Sequence, residues 1–371
     1  MKLIIAGGRF FLGILYSLMK LAPVRHRVCM LSRESDKPPL DFVLLEQELK
    51  KQDSSLEVVS VCEFIGTDNV NPVRLLKNTL RCMRVTATSS ACVTDTYCLA
   101  LSLFKQREGF TAVQVWHALG AVKKFGYQCL DTSSGRSSES ARALSMHKNY
   151  SFVTCAGAAT ADIYSEAFGV PRNNVLILGM PRLDRLLEIA SHGEKAEALS
   201  AQYPCMQGKK CILYAPTFRD DGALYLDEIL NTVDFDRYCV IVKAHILTRD
   251  RYADDRLIIT EDELFDLFAV ADYVVTDYSA ASFEAAAAGK KLLFYTYDVD
   301  SYRAQRGLNI VPGEEYPAIS SESFARLYEI IEEDSYDNAQ LEQFTSKYIQ
   351  VPAGSSERIA RELLERMGKR T

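Results

Sequence analysis

Short apolar runs alternate along the chain with longer stretches whose apolar positions recur at helical spacing. RVCML, SACVT, TAVQVW, SFVTCA and NVLIL read as strands in the first half. CILYA, YCVIVK, RLIIT, DYVVT and KLLFY do so in the second. Stretches 41–51, 96–106 and 158–168 between them read as helices. Strands alternating with helices imply βαβ units and therefore parallel sheets.

The stretch from about residue 185 to 210 is polar and helical, with a break at Tyr203-Pro204 and then Gly208. It reads as a bridge between two similar sheets. A length of 371 residues agrees, since single cores rarely grow beyond roughly 250–300 residues. The expectation is an α/β protein of two Rossmann-like domains facing one another across a cleft. Residues 25–190 form the first and 191–355 the second, with a last helix at 356–371 free to cross back. Ligands of such sheets sit outside the carboxyl ends of the strands, which is where chemistry is to be sought.

Residues 1–24 break the pattern. Phe10, Phe11, Ile14, Leu15, Leu18 and Leu21 recur at helical spacing, flanked by Arg9, Lys20, Arg25 and Arg27. No run reaches the roughly 18 apolar residues of a spanning helix. A secretory signal is disfavoured, because the sequence runs straight into a strand. Two readings stand: a helix lying in an anionic membrane surface, and a helix packed on its own domain.

Composition narrows the classes. Hydrophobic residues make up 48% and charged residues 25%, as in soluble globular proteins. A net charge of -6 argues against nucleic acid as a general partner. The 10 cysteines are scattered without metal-ligand spacing, as buried free thiols of a reducing compartment. Asp298-Val299-Asp300 has a D-x-D spacing but follows a Rossmann-like strand with no His or Cys beside it, so no metal site is assigned. The Ser- and Gly-rich stretch 131–140 is a mobile loop, either a lid or a solvated connection.

Four strand ends carry candidate chemistry. After DYVVT, the turn Asp277-Tyr278-Ser279 leads into a helix of small residues that ends at Gly289. Free N–H groups and the positive dipole end at such a helix start suit a diphosphate. Ser279 and Ser282 add hydroxyls, and capping by Ser279 alone accounts for the same pattern. After CILYA, Pro216-Thr217 turns the chain and Arg219 projects, its fork suited to phosphate oxygens or to an ion pair with Asp220 or Asp221. YCVIVK ends in Lys243 and His245. TAVQVW ends at His117, followed by Gly120, Lys123, Lys124 and Gly126. Each domain thus puts one histidine at a strand's carboxyl end.

Five stretches together resemble the CDP-glycerol glycerophosphotransferase family of teichoic acid synthesis. They are Trp116-His117 with Lys123-Lys124, Leu178-Gly179-Met180-Pro181-Arg182-Leu183-Asp184, Tyr214-Ala215-Pro216-Thr217-Phe218-Arg219, Thr276-Asp277-Tyr278-Ser279, and Phe294-Tyr295-Thr296-Tyr297-Asp298 trailed by Tyr302 and Arg306-Gly307. The resemblance spans roughly Val85 to Leu308. It implies a GT-B type glycosyltransferase fold, a peripheral location on the cytoplasmic face of the membrane, and functional histidines falling on His117 and His245. The chain departs from the family pattern where His117 is followed by Ala118-Leu119-Gly120, and His245 by Ile246.

On this reading CDP-glycerol, or CDP-ribitol in its place, lies against the second domain. Thr217, Arg219, Lys243, Thr276, Asp277, Tyr278, Ser279 and Ser282 surround its diphosphate with His245, and Glu284 takes ribose or polyol hydroxyls. A hydroxyl of a lipid-linked polymer attacks the phosphorus, His117 accepts its proton, and CMP leaves. The scheme calls for no metal or other cofactor. The compact chain favours priming or limited extension. A sugar transferase or epimerase on the same scaffold and a non-catalytic binding module are the rival classes.

Overall fold

The computed structural model describes the chain apart from residues 1, 67–70, 190–193, 218, 220–221, 244–253 and 369–371, and apart from the side chains of 2–6. It comprises two compact units: Met1–Ala118 with Phe125–Asp184 and Val351–Thr371, and Leu119–Lys124 with Arg185–Gln350. The α/β class expected from the alternation is present, because each unit is built on a six-stranded, all-parallel sheet.

In the first unit the strands are β1 (Arg25–Ser32), β2 (Glu57–Cys62), β3 (Ser89–Thr94), β4 (Thr111–Gln114), β5 (Phe152–Cys155) and β6 (Val175–Ile177), in the order β2-β1-β3-β4-β5-β6. Helix α2 (Leu40–Gln52) covers one face with Phe42, Leu45 and Leu49, at helical spacing. The helix Ser355–Gly368 joins it there through Ile359, Ala360 and Leu363. Val28, Met30, Val93, Val113 and Phe152 of the sheet complete that core. Each of the larger side chains among them contributes about 1.5–3 kcal/mol by leaving water.

Helix α1 (Lys2–Met19) lies against α3 (Pro72–Thr88) of the same unit. Its anchor is Tyr16, fully buried, whose hydroxyl bonds Thr86 Oγ1 at 3.2 Å and Gln106 Oε1 at 2.5 Å. Phe10, Phe11, Leu18 and Leu21 remain exposed. Among the described residues no helix is long and apolar enough to cross a membrane.

In the second unit the strands are β7 (Lys210–Tyr214), β8 (Tyr238–Val242), β9 (Leu257–Ile259), β10 (Tyr273–Thr276), β11 (Lys291–Tyr295) and β12 (Ser320–Ser321), in the order β12-β11-β10-β7-β8-β9. The segment Leu119–Lys124 belongs to this unit although it begins two residues after His117. It is pinned there by Asn309 N–H on the Val122 carbonyl at 2.7 Å and Lys124 N–H on the Gly307 carbonyl at 3.1 Å. Only glycine fits at 120, since a Cβ would stand 2.4 Å from the Phe283 ring.

Candidate active site

Both sheets reverse their strand order at one point, and ligands of open parallel sheets bind at the carboxyl ends beside that reversal. In the second unit the reversal lies between β7 and β10. The Thr276 hydroxyl donates to the Ala215 carbonyl at 2.7 Å, tying the two strand ends together. One residue on, the buried Asp277 carboxylate accepts from Thr217 N–H at 2.9 Å and from the Thr217 hydroxyl at 2.6 Å. Arg219 Nη2 donates to the same carboxylate at 2.9 Å. Arg219 Nε donates to Asp298 Oδ2, also at 2.9 Å, and Nη1 to the Thr217 carbonyl. The guanidinium sits among the rings of Tyr302, Tyr297 and Tyr278 at 4.5–5.6 Å. Burial opposes its charge, but the Asp298 hydrogen bonds and the Asp277 field outweigh burial and raise its pKa.

Several of the expected donor-binding side chains are engaged within the protein. Among the described residues the Arg219 fork meets two carboxylates, Asp277 and Asp298; Asp220 and Asp221 lie outside the described residues. The buried Thr276 hydroxyl is spent on the backbone. Ser282 is buried and donates to the Ser279 carbonyl at 2.8 Å, so it offers no hydroxyl proton to a ligand. Ala280, not Ser279, holds the cap position of the helix Ala281–Ala287, and Ser279 Oγ accepts from Ala281 N–H at 3.3 Å. Glu284 is buried in that helix, and Tyr278 is buried against Tyr302 with ring centroids 4.3 Å apart. Lys243 reaches past the end of β8 to the Glu261 carbonyl at 3.0 Å. His245 lies outside the described residues.

Lys123, which the sequence offered only within the Trp116–Lys124 stretch, enters this neighbourhood from the pinned segment. Burial lowers its pKa, the field of Asp277 opposes that, and Arg306 and Arg219 add repulsion. The signal in the sequence was a Lys pair close behind a strand-end histidine.

In the first unit the reversal lies between β1 and β3. Ser32 ends β1, and its hydroxyl donates to Asp95 Oδ2 at 2.8 Å, just beyond β3. Asp95 Oδ1 is buried with no hydrogen-bond partner among the described residues. Burial, the leading cause, pushes this carboxyl up to about 7, and Glu34 and Asp41 add to it while the Ser32 hydroxyl opposes. The Asp95 carbonyl lies 3.1 Å from His117 Nδ1. A carbonyl only accepts, so Nδ1 carries the proton and Nε2 keeps its lone pair. Burial lowers the His117 pKa and so favours the neutral ring, while the Glu34 charge partly opposes this.

Trp116 sets the direction of His117. Its φ of 59° is left-handed, an uncommon conformation for a bulky residue. The bend is held by Trp116 N–H on Gln114 Oε1 at 2.8 Å and by Trp116 stacking on Phe125, 4.8 Å between centroids. By contrast, the Leu178–Asp184 motif is architectural. Asp184 accepts from Gly354, Ser355 and Ser356 N–H at 2.7–2.8 Å, capping the last helix. Arg182 Nη2 pairs with buried Asp41 at 2.6 Å. Gly179, with φ +89°, passes so close to Ser355 that a Cβ would stand 2.1 Å from its hydroxyl.

Known proteins share both the sequence and the fold. Residues 14–365 match the CDP-glycerol:poly(glycerophosphate) glycerophosphotransferase family. The chain is 29% identical over 369 residues to the teichoic acid ribitol-phosphate primase of Bacillus spizizenii, covering 94% of each. It is 31% identical over 258 residues to the teichoic acid glycerol-phosphate primase of Bacillus subtilis, covering 66% of this chain and 65% of that protein. The structure of the wall teichoic acid polymerase TagF superposes with a TM-score of 0.73 at 18% identity, over 96% of this chain and 93% of that one, and the shared fold is of the two-domain GT-B type. With the family matched across nearly its whole length, this chain belongs to the CDP-glycerol:poly(glycerophosphate) glycerophosphotransferases and is a transferase of teichoic acid biosynthesis.

Proposed function

We propose that the chain transfers glycerol phosphate from CDP-glycerol to a terminal hydroxyl of a lipid-linked wall-polymer precursor. The observation that carries this reading is His117: Nδ1 is engaged by the Asp95 carbonyl, which leaves the Nε2 lone pair to accept, and burial favours the neutral ring. The acceptor oxygen attacks the phosphorus that bears glycerol and a new P–O bond forms. The bond to the CMP phosphate breaks, CMP keeps that electron pair, and the acceptor proton passes to His117 Nε2. Positioning and charge neutralisation contribute as much as proton removal, because phosphoryl-type transfer states are loose.

The donor diphosphate is assigned to the β7–β10 reversal in the second unit, with Thr217, Ser279, Lys243 and His245 around it and Lys123 supplying charge. Arg219, Asp277 and Asp298 act there as positioning residues that hold the strand ends in register. These residues carry the diphosphate charge in the scheme, which therefore includes no metal. Helix α1 is assigned to the cytoplasmic face of the membrane, where its exposed Phe10, Phe11 and Leu18, with Leu21 just beyond it, would enter the lipid surface.

CDP-ribitol as donor is a second reading, favoured by the near full-length match to a ribitol-phosphate primase. Incubating the protein with each CDP-polyol and a lipid-linked acceptor, then weighing the products, tests both. A product heavier by one glycerol phosphate supports the first, and one heavier by a ribitol phosphate the second. Binding of both donors without CMP release on any acceptor would sink the transferase reading in favour of a binding module.

A further inference from the structure

The loop after β3 carries a second feature two residues beyond Asp95. Tyr97 is touched by two guanidinium groups from distant parts of the first unit. Arg33, one residue past β1, donates through Nη1 to the Tyr97 carbonyl at 3.3 Å and through Nη2 to the Ile65 carbonyl at 3.4 Å. Its Nε is buried and has no hydrogen-bond partner among the described residues. Arg136 lies over the Tyr97 ring, 5.4 Å from the centroid. Among the described residues neither has a carboxylate within ion-pair distance.

The approach of the two cations is built into the fold. Arg136 comes from the Ser-rich stretch 131–140, a largely exposed connection closed by its own hydrogen bonds. Asp131 N–H donates to the Arg136 carbonyl at 3.0 Å, and Asp131 Oδ1 accepts from Ser138 N–H at 2.8 Å. Ser137 then caps the helix Ser138–Ala143, accepting from Ser140 N–H at 3.1 Å. Tyr97 is fixed by its hydroxyl on the Leu144 carbonyl. Burial lowers the Arg33 pKa and Arg136 pushes the same way, while the Cys98 thiol and Glu34 oppose. His147, against the Tyr97 ring, adds no charge because burial and Arg136 push its pKa down to about 3. Arg33 keeps one unused N–H while its two Nη groups serve carbonyls, and exposed Arg136 adds a second guanidinium on the same residue; an anion with several acceptor oxygens, such as a phosphate, balances such a pair of charges.

We propose that Arg33 and Arg136, converging on Tyr97, form a phosphate subsite that holds the phosphodiester of the incoming acceptor. The inference rests on the reading of the substrate as a polyol-phosphate polymer. Tyr97 lies two residues from Asp95, so the subsite is within about 7 Å of chain from the residue that orients His117. An acceptor anchored there by its last phosphodiester presents its terminal hydroxyl to the histidine. The subsite therefore selects acceptors that already carry a polyol phosphate over bare hydroxyls.

The test uses the full-length protein and a soluble probe, glycerophosphoglycerol, which has one phosphodiester and free terminal hydroxyls. Calorimetric titration without donor reports the subsite directly and needs no turnover. Arg136→Gln, in an exposed loop, weakens binding roughly tenfold or more, as expected for loss of a charge-assisted contact. Arg136→Lys recovers part of it, since an ammonium keeps the charge but not the fork. Arg33→Gln behaves like Arg136→Gln if it folds, and the Arg136 variants decide the matter if it does not.

In turnover, the preference for a phosphodiester acceptor over its ether analogue, as a ratio of kcat/KM, collapses toward one in Arg136→Gln through KM. Unchanged probe affinity together with an unchanged preference overturns the subsite while leaving the transferase reading intact. Probe binding lost in the variant, from a protein that releases no CMP with any acceptor, keeps the subsite and removes the transferase reading. Cosedimentation with anionic phospholipid vesicles separates the remaining source of phosphate. A variant that loses vesicle binding but keeps its acceptor preference has a lipid-headgroup site, and the acceptor assignment is then wrong.

Discussion

Arg219 and Asp277 stand 58 residues apart in sequence and 2.9 Å apart in space, and their contact joins the strand ends that flank the reversal of the second sheet. Through Asp298 the same guanidinium reaches the end of β11. Three stretches that carry the family resemblance, Tyr214–Arg219, Thr276–Ser279 and Phe294–Asp298, are therefore parts of one buried knot. Two carboxylates around one guanidinium are costly to bury unless every partner is present. Arg219→Met should accordingly destabilise the protein by about 3–5 kcal/mol, measured as a shift in urea midpoint at constant slope. Arg219→Lys should fall between it and the wild type. A loss of donor affinity with unchanged stability would place Arg219 on the diphosphate instead.

Lys123 should behave in the opposite way. Its amine is desolvated and repelled by Arg219 and Arg306, with only the Asp277 field in its favour. Charge held in such a place costs stability and becomes useful when an anion arrives. Lys123→Met should leave the melting temperature unchanged or higher, and weaken CDP-glycerol binding by about tenfold. Calorimetry on the folded variant checks both. A destabilised variant with normal donor affinity would make Lys123 a structural residue.

The core and the chemistry were not equally legible in the sequence. Ten strands announced themselves as apolar runs, but β2 and β12 did not. Both are edge strands, and β2 is only partly buried, so Glu57 and Ser60 interrupt its pattern. The helix read across 96–106 is only Leu99–Leu103, because the loop before it is committed to Asp95 and Tyr97. Strand-end positions of His117, Thr217 and Asp277 followed from the alternation alone. What those side chains touch did not. Asp298 looked like half of a D-x-D pair and is a partner of Arg219, and nothing local in the sequence marks Asp95 or Arg136. Contacts between residues tens of positions apart leave no periodic trace.

Helix α1 has two faces whose roles separate cleanly. Tyr16 bonds Thr86 and Gln106 in the interior, whereas Phe10 and Phe11 are 64% and 71% exposed. Tyr16→Phe should lower stability by about 1–3 kcal/mol, because Gln106 loses a buried partner. Its binding to anionic vesicles should persist. Phe10→Ser with Phe11→Ser should leave stability near wild type and reduce vesicle cosedimentation by tenfold or more, each buried aromatic being worth about 1.5–3 kcal/mol. Equal cosedimentation of the double variant and wild type would exclude this face as the anchor.

Asp95 gives a signature in stability against pH. Its carboxyl is raised by burial from 3.8 to about 7 in the folded protein. The native state therefore holds a proton that the unfolded chain releases above its own, lower pKa. Stability from this group is fully present below the unfolded value and is lost as pH rises through about 7. Asp95→Asn mimics the protonated form and cannot charge. Its stability relative to wild type should rise between pH 5 and 8 by an amount on the order of a few kcal/mol, each pKa unit being worth about 1.4. Parallel curves for the two proteins in chemical denaturation would mean that Asp95 is not buried in solution as it is here.

His117 decides between a catalyst and a binder. The base must be neutral to accept the acceptor's proton, so turnover falls as pH drops through its pKa. Burial lowers that pKa below the ordinary imidazole value of 6.5, and the acid limb of kcat should lie correspondingly low. His117→Ala should cut turnover by about 10²-fold or more while leaving CDP-glycerol affinity near wild type. The acid limb should vanish in the variant if His117 is the titrating group. Asp95→Asn is the necessary companion, because its carboxyl titrates in a neighbouring range but holds His117 only through a backbone carbonyl. It should keep the limb that His117→Ala removes. If Asp95→Asn abolishes the limb and His117→Ala does not, the carboxylate is the base, and the histidine merely shapes the site.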